Sequence, residues 1–597
     1  MPTATTRAPL SAARRSPRFP EMSRKTYVVI AGVVVLALGG FMRLGAPRAF
    51  RAAPSRADTL VASVRAEPRT FNRYVARDFT TTVVSLLTHS ALVRVNRVTD
   101  RLEPELAESW ELMPDGLTYR LRLRSGLRFS DGVPFSADDV VFAFRAIYET
   151  PEAGILADTL QVRGRPLDVR SEGATIVSIR FPSPFGPGLR LLDGVPILPR
   201  HRLEARVRAG TFQSAWGVST PPSDIAGLGP FVLRRYDPGQ RLTFDRNVFY
   251  WRRQDGRPLP KLDHLVLEIV PDQSTEALQL RSGAIDLTQS ELRPADMAAL
   301  TRASRAGEVA LEDLGVGVDG DLFWINLTAA KARDVRSRWL QHPDFRRAVS
   351  RSIDRQAFVD AVYLGAAVPS SGIVSPGNRT WFVDAPAPPY DLAAATRLLT
   401  SLQLVDRDHD GTLDDVDGSP VRFTVLTQKG NTSLERGAQV LRESLARVGV
   451  RVDVVGLEVG TLVEYLTTGR YDAAYFRLLT TDTDPALNGD FWLSSGSAHV
   501  WNPSQRTPAT PWEGDIDRLM DEVSTASEAS RRRALFADVQ GIMAREVPVL
   551  CFAFPRLSYA MARRVVGATP APFRPPVLWN PAVIGVRDVP TDPLTGR

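Results

Sequence analysis

From Asp58 onward, stretches with a two-residue apolar period and stretches with a helical period follow one another in irregular order, and none is apolar enough to span a membrane. TLVASV (59–64), TYRLRLRSGLRF (118–129), SEGATIVSIRF (171–181) and RLTFDRN (241–247) read as strands; LDHLVLEIV (262–270) reads as a more fully buried one. In 118–129, Tyr119, Leu121 and Leu123 fall on one face and the arginines on the other, the mark of a half-buried antiparallel strand. Helical spacing marks DFTTTVVSLLTHSAL (78–92), STEALQLRSGA (274–284), DFRRAVSRSIDRQAFVDAVY (344–363), DLAAATRLLTSL (391–402), SLERGAQVLRESLARVG (433–449) and RRRALFADVQGIMARE (531–546). Such a mixture predicts an α/β fold with mixed sheets. At 597 residues the chain exceeds what one core can bury, so two or three domains are expected. STPPSD (219–224) and DAPAPPYD (384–391) mark loops, and no repeat of solenoid period is present.

The formal net charge of +7 is unevenly placed. Residues 1–57 carry ten basic side chains against Glu21 alone, which leaves 64 basic and 66 acidic residues for the remainder. The globular part is therefore slightly acidic and has no basic footprint for nucleic acid. Lysine occurs only at 25, 261, 331 and 429, so the positive charge is nearly all arginine. The single cysteine, Cys551 in VPVLCFAF, excludes an internal disulfide and a cysteine-rich zinc site, and reads as a small buried hydrophobe.

Within 1–57, Tyr27–Met42 is an unbroken apolar run preceded by Arg24 and Lys25. Its length lies between a signal-peptide core and a spanning helix. The best small-residue cleavage pattern, Ser55-Arg56-Ala57, is far from the run, and no cysteine follows to carry a lipid. These features point to an uncleaved anchor in the inner membrane, with a late-cleaved signal as the alternative; either way the rest of the chain is exported, to the periplasm or its equivalent.

In RSGLRFSDGVPFSADDVVFAF (124–144), Asp131-Gly132 suits a tight turn, Ser136 a helix N-cap, and Asp138 and Asp139 the first helical turn. Adjacent helical side chains point about 100° apart, so these two carboxylates do not converge on one substrate atom, and they favour the positive end of the helix. Catalytic constellations are lacking. The six histidines show no metal-binding helical spacing, and neither G-x-S-x-G nor a P-loop occurs. GVGVDG (315–320) matches G-x-G-x-x-G, but the strand-like DLFWINL follows where a dinucleotide site needs a helix. DRDHDGTLDDVD (406–417) places Asp406, Asp408, Asp410, Thr412, Asp414 and Asp417 at positions 1, 3, 5, 7, 9 and 12 of an EF-hand-type loop, a set of oxygens for Ca2+. Position 12 is Asp rather than Glu and a strand-like segment follows, so an acidic surface turn is the competing reading.

LEPELAESWELMPDGLTYRLRLRSGLRFSDGVPFSADDVVFAF (102–144) resembles the signature region of the family 5 extracellular solute-binding proteins, the peptide-, dipeptide- and nickel-binding receptors of ABC importers. The resemblance continues through GLGPFVLRRYDPGQRLTFDRNVFYW, LDHLVLEIVPDQSTEALQLRSGAIDL, HPDFRRAVSRSIDRQAFVDAVYLGAA and RRRALFADVQGIMAREVPVLCFAF, from about Thr59 to Val586. It implies a two-lobed periplasmic-binding-protein fold of the class II type, non-enzymatic, with an additional third domain. The implied division is 58–92, 200–270 and 555–590 for lobe I, 93–199 for the additional domain and 271–554 for lobe II. It implies a small peptide or similar solute as guest and ABC permease subunits as partners. It also implies that an aspartate in YFRLLTTDTDPALNGDFW (475–492) pairs with a peptide's free amino terminus: Asp482, with Asp484 the alternative. Arg477 is a candidate for a guest carboxylate, and Trp324, Trp381 and Trp492 are candidate pocket walls. The alternatives are a membrane-tethered sensor or chaperone-like module, a binder of an oligosaccharide or metal complex, and, last, a hydrolase whose nucleophile and base cannot be named together.

Overall fold

The computed structural model describes residues 58–587 apart from 77, 290, 330, 332, 333, 386, 387 and 481. The 27–42 run lies outside the described residues. Among those described, no helix is long and apolar enough to cross a membrane.

The chain opens with strand β1 (Thr59–Val64), whose Leu60, Ala62 and Val64 are fully buried, and helix α1 (Phe79–Thr88), N-capped by Asp78 through a 2.9 Å bond from the Thr81 N–H. A four-stranded antiparallel sheet follows. It is built from β2 (Ala107–Leu112), β3 (Thr118–Leu123), β4 (Asp168–Ser171) and β5 (Ile176–Arg180) in the order β2-β3-β5-β4, with α2 (Ala137–Glu149) against it. Leu121 and Leu123 of β3 are buried while Arg120 and Arg122 are exposed, as the alternation requires. The Gly132 turn (φ +85°) and α2 form as the sequence implies. Asp139 Oδ2 accepts the Ser136 N–H at 3.0 Å and Oδ1 accepts the Arg200 N–H at 3.0 Å, so this carboxylate fastens the start of the helix.

The chain then returns to the first sheet with β6 (Phe231–Asp237), β7 (Arg241–Arg246) and β8 (His264–Ile269), giving the order β1-β8-β7-β6. β8 pairs parallel to β1 and antiparallel to β7, and buries Leu265 and Leu267 in alternation rather than along its whole length. One continuous core joins this sheet to the additional domain, from Leu60 and Val83 through Phe129 and Phe142 to Leu242 and Leu265. Helices α3 (Gln273–Arg281) and α4 (Pro294–Arg305) precede β9 (Val309–Val316).

The second lobe begins with β10 (Asp321–Ile325). The long helical pattern at 344–363 divides into α5 (Pro343–Ser352) and α6 (Arg355–Tyr363), because Asp354 caps a new helix through the N–H groups of Gln356 and Ala357. Next come β11 (Ala367–Pro369), β12 (Arg422–Gln428), α7 (Thr432–Ala446), β13 (Arg451–Leu457) and β14 (Ala473–Arg477). The chain closes with α8 (Pro511–Thr525), α9 (Ala529–Glu546), β15 (Val549–Cys551) and β16 (Ala553–Ala562). The main sheet of this lobe has the order β13-β12-β14-β10-β15, parallel from β13 to β14 and antiparallel thereafter, with separate cores on its two faces.

Residues 271–316 do not belong with this sheet. β9 pairs with β16, and Leu287 bridges both Ala62 of β1 and Met561 of β16, so the segment extends lobe I and the expected boundary at 271 moves to about 317. Two strands of chain cross between the lobes, 317–320 and 552–555, and Gly317 N–H donates to Pro555 O at 2.9 Å. Packing there is tight: a Cβ on residue 320 would lie 2.7 Å from both Cys551 Sγ and the Phe554 ring. GVGVDG is thus a crossover leading into a strand, with no helix behind it to hold a phosphate.

Candidate functional site

Between the lobes lies a cleft of ≈ 800 Å³. Lobe I contributes Arg65, Glu291, Tyr559 and Arg574; the second lobe contributes Tyr363 at the end of α6 and Arg477 at the end of β14. A run of alternating charge leads from its wall into the protein at Asp321. Tyr363 OH donates to Asp321 Oδ2 at 2.5 Å, Arg477 Nε to Asp321 Oδ1 at 2.6 Å, Arg477 Nη1 to Glu291 Oε2 at 3.0 Å and Arg574 Nη2 to Glu291 Oε1 at 2.8 Å. Burial alone would raise the Glu291 carboxyl, but Arg477 and Arg574 outweigh it and hold it below the usual range. Burial likewise opposes the charge on Arg477, and Asp321 and Glu291 overcome it. Arg65 has no carboxylate partner among the described residues; its Nε reaches only Pro271 O, at 3.4 Å.

Behind Leu479, which borders both spaces, a second cavity of ≈ 110 Å³ opens. Leu322, Val374, Leu478, Phe491, Trp492 and Phe536 give it apolar walls. Its charged residues are Asp319, Asp482 and Asp490, and no Lys, Arg or His lines it among the described residues. Asp319 Oδ1 accepts the Thr480 N–H (3.0 Å) and hydroxyl (2.8 Å), and burial raises its pKa above the ordinary carboxyl value. Asn378 donates Nδ2 to Thr483 O at 2.9 Å, and its Oδ1 is buried with no donor in the described protein.

Asp482 turns one oxygen to Arg190 Nε (2.7 Å) and to the Asp484 N–H (2.8 Å); burial pushes its pKa up to about 6 against the pull of Arg190. Asp484 is buried and faces Arg532, whose Nη1 and Nη2 take both of its oxygens at 2.8 and 2.6 Å. The two aspartates expected to meet a guest are thus both held by arginines of the protein itself.

A sequence profile of the bacterial extracellular solute-binding proteins, family 5 (middle region), matches residues 101–499. The chain belongs to this family. It is 24% identical over 522 residues to a probable ABC transporter-binding protein of Deinococcus radiodurans, covering 84% of this chain and 87% of the relative. It is 24% identical over 526 residues to a dipeptide-binding protein of Pseudomonas aeruginosa, covering 83% and 89%. The solved structure of the oligopeptide-binding protein AppA from Bacillus subtilis, in complex with a nonapeptide, superposes with a TM-score of 0.69 at 24% identity, covering 89% of this chain and 99% of that one. The fold is therefore the two-lobed one of the family, and family 5 is a family of binding proteins rather than enzymes.

In this family 5 member the three tryptophans part company. Trp324 is in the core of the second lobe, donating Nε1 to Tyr471 OH at 3.2 Å. Trp381 packs under the Arg532 guanidinium, 5.0 Å from ring centre to Cζ. Trp492 lines the small cavity, whereas Trp324 and Trp381 line neither it nor the cleft. Cys551 is buried beside Ala553 O, as a small hydrophobe would be.

The 406–417 loop brings half of its predicted oxygens together. Carboxylate oxygens of Asp406, Asp408 and Asp414 lie within 4.8 Å of one another, and Asp406 Oδ1 is buried without a donor. Asp410 instead accepts the Thr412 N–H (2.6 Å), and Asp417 accepts the Ser419 N–H (3.0 Å) and pairs with Arg338 (3.3 Å). The residues not foreseen from sequence are Arg65, Glu291, Asp319, Tyr363, Asn378 and Arg574. The available signal for Asp319 was its position just before β10, in a glycine-flanked crossover where a side chain can face the space between lobes.

Proposed function

We propose that this chain captures short peptides in the interlobe cleft and delivers them to the permease of an ABC importer. One observation carries the reading: arginines outnumber carboxylates along the wide cleft, five to Glu291 and Asp313, while the adjoining small cavity holds carboxylates and, among the described residues, no cation. A guest reaching from one to the other meets opposite charges at its two ends, which suits a zwitterion. Asp319 Oδ2 and Asn378 Oδ1 are acceptors for an ammonium, the apolar walls take the first side chain, and Arg65 and Arg574 attract the carboxylate. Dipeptide- and oligopeptide-binding names among the relatives support the same guest. Export across the cytoplasmic membrane, with the 27–42 run as tether, completes the proposal. N-terminal sequencing of the exported protein tests the tether, and a start near Asp58 would remove it.

Calorimetric titration with tri-leucine, N-acetyl tri-leucine, a tetrasaccharide and a nickel–histidine chelate tests the guest. Tri-leucine is expected to bind and its acetylated form to bind far more weakly; binding of the sugar or chelate with no response to peptide would refute the assignment.

The convergence of Asp406, Asp408 and Asp414 around a buried, unpartnered oxygen favours a second reading, in which this loop of the second lobe takes Ca2+. Added calcium should raise the unfolding temperature of the wild type and leave Asp408→Ala/Asp414→Ala unchanged; equal responses would end the idea.

A further inference from the structure

The 93–199 domain shares its core with lobe I, yet among the described residues it also bonds to the second lobe, through Arg163, Gly186 and Arg190. At the rim Arg163 pairs with Asp521 of α8. Nearby, the Gly186 N–H donates to Ser524 O at 2.6 Å, and a Cβ there would lie 2.5 Å from Ala526 O and 2.6 Å from Arg532 Nε, so glycine alone permits the approach. The third contact is the most enclosed. Arg190 donates Nε to Asp482 Oδ1 (2.7 Å), Nη2 to Thr483 Oγ1 (2.8 Å) and to Asp100 Oδ1 (2.5 Å), and Nη1 to Asp100 O (3.0 Å). The Thr483 hydroxyl in turn donates to Asp100 Oδ2 at 2.9 Å. Two carboxylates from opposite sides of the molecule converge on one cation, and without it they would repel.

The same contact shapes the small cavity. Asp482 and Thr483 form part of its wall, while Arg190 itself borders neither the cavity nor the cleft. Around them, Asp482 Oδ1 holds the Asp484 N–H, Asp482 O accepts Asn488 Nδ2 (2.7 Å), and Thr483 O accepts Asn378 Nδ2 (2.9 Å). Arg190 therefore fixes the 482–488 segment from outside, through residues that the guest would touch.

We infer that Arg190 is a positioning residue that clasps the 93–199 domain to the second lobe, so that closing the lobes and completing the small cavity are a single event. The clasp is independent of what the guest is. It makes the additional domain part of the closing machinery, with Arg190 as its central contact and Arg163 and Gly186 as its rim.

The test uses the full-length protein and three variants, Arg190→Met, Arg190→Lys and Thr483→Val. Small-angle scattering of guest-free protein is expected to show a larger radius of gyration for Arg190→Met than for wild type. Stopped-flow release of tri-leucine is expected to be about thirtyfold faster in Arg190→Met, as is usual when one member of a buried charge pair is truncated. Arg190→Lys, which keeps the charge and loses the fork, should fall between, and the urea midpoint of the wild type should be retained in it. Thr483→Val removes only the hydroxyl bridge and gives the same changes at smaller size, which keeps the test decisive if Arg190→Met fails to fold. Wild-type dimensions and release rates in both Arg190→Met and Thr483→Val would overturn the clasp. If tri-leucine does not bind the wild type, the peptide assignment falls, and scattering alone judges the clasp.

Discussion

Replacing Asp484 by alanine would show whether this aspartate serves the guest or the fold. Its carboxylate is bidentate to Arg532, and the two side chains are only 8% and 7% exposed. Arg532 keeps a 2.7 Å bond to Val523 O and the face of Trp381 after the substitution, but its charge loses the only carboxylate it reaches among the described residues. Stranding one member of a buried pair costs about 3–5 kcal/mol. Asp484 also caps the 485–488 turn through the Ala486 N–H at 3.1 Å, a further loss of about 1 kcal/mol. Urea denaturation followed by tryptophan fluorescence should therefore show Asp484→Ala destabilised by about 4 kcal/mol or more. Asp484→Leu/Arg532→Met, with neither charge present, should regain most of that. Were Asp484→Ala to cost less than about 1 kcal/mol while abolishing peptide binding, the structural assignment would be wrong.

Three further outcomes are expected. Glu513 is buried, which by itself raises its pKa, but bonds from His499, Thr510 and Gln505 win and hold it at about 2. A carboxyl depressed in the folded state stabilises above its unfolded pKa, so about 3 kcal/mol should drain away as pH falls from about 4.5 towards 2; in Glu513→Gln that acid slope should flatten. Gly320→Ala drives a Cβ into Cys551 and Phe554 at the crossover and should cost about 1–3 kcal/mol by urea unfolding. Asp319→Asn should weaken tri-leucine by at least about tenfold in calorimetry and leave N-acetyl tri-leucine unaffected, whereas equal weakening of both would remove Asp319 from ammonium recognition.

What the sequence carries depends on how local the physics is. The alternation at 118–123, the Gly132 turn and the first turn of α2 are set by neighbours a few residues away, and all three were readable from the string. The arginines that hold Asp482 and Asp484 are remote in the chain: Arg190 lies 292 residues from Asp482, and Arg532 lies 48 from Asp484. No period or spacing links such pairs. The 271 boundary failed for a similar reason, since Leu287 and β9 join lobe I through β16, over 240 residues later in the chain. In the 406–417 loop spacing brings three carboxylates together, yet backbone N–H groups donate to Asp406, Asp408 and Asp414 as well as to Asp410 and Asp417, a competition that a ligand pattern does not include.

The most direct measurement is energy transfer between labels placed on the two lobes of the full-length protein, at Val248→Cys and Val335→Cys, positions 80% and 65% exposed; the native Cys551 is buried away from the dye. Saturating tri-leucine should shorten the distance between the labels, and the peptide should be recovered unaltered. A label distance that stays constant while tri-leucine is bound would contradict a receptor that closes its lobes on its guest.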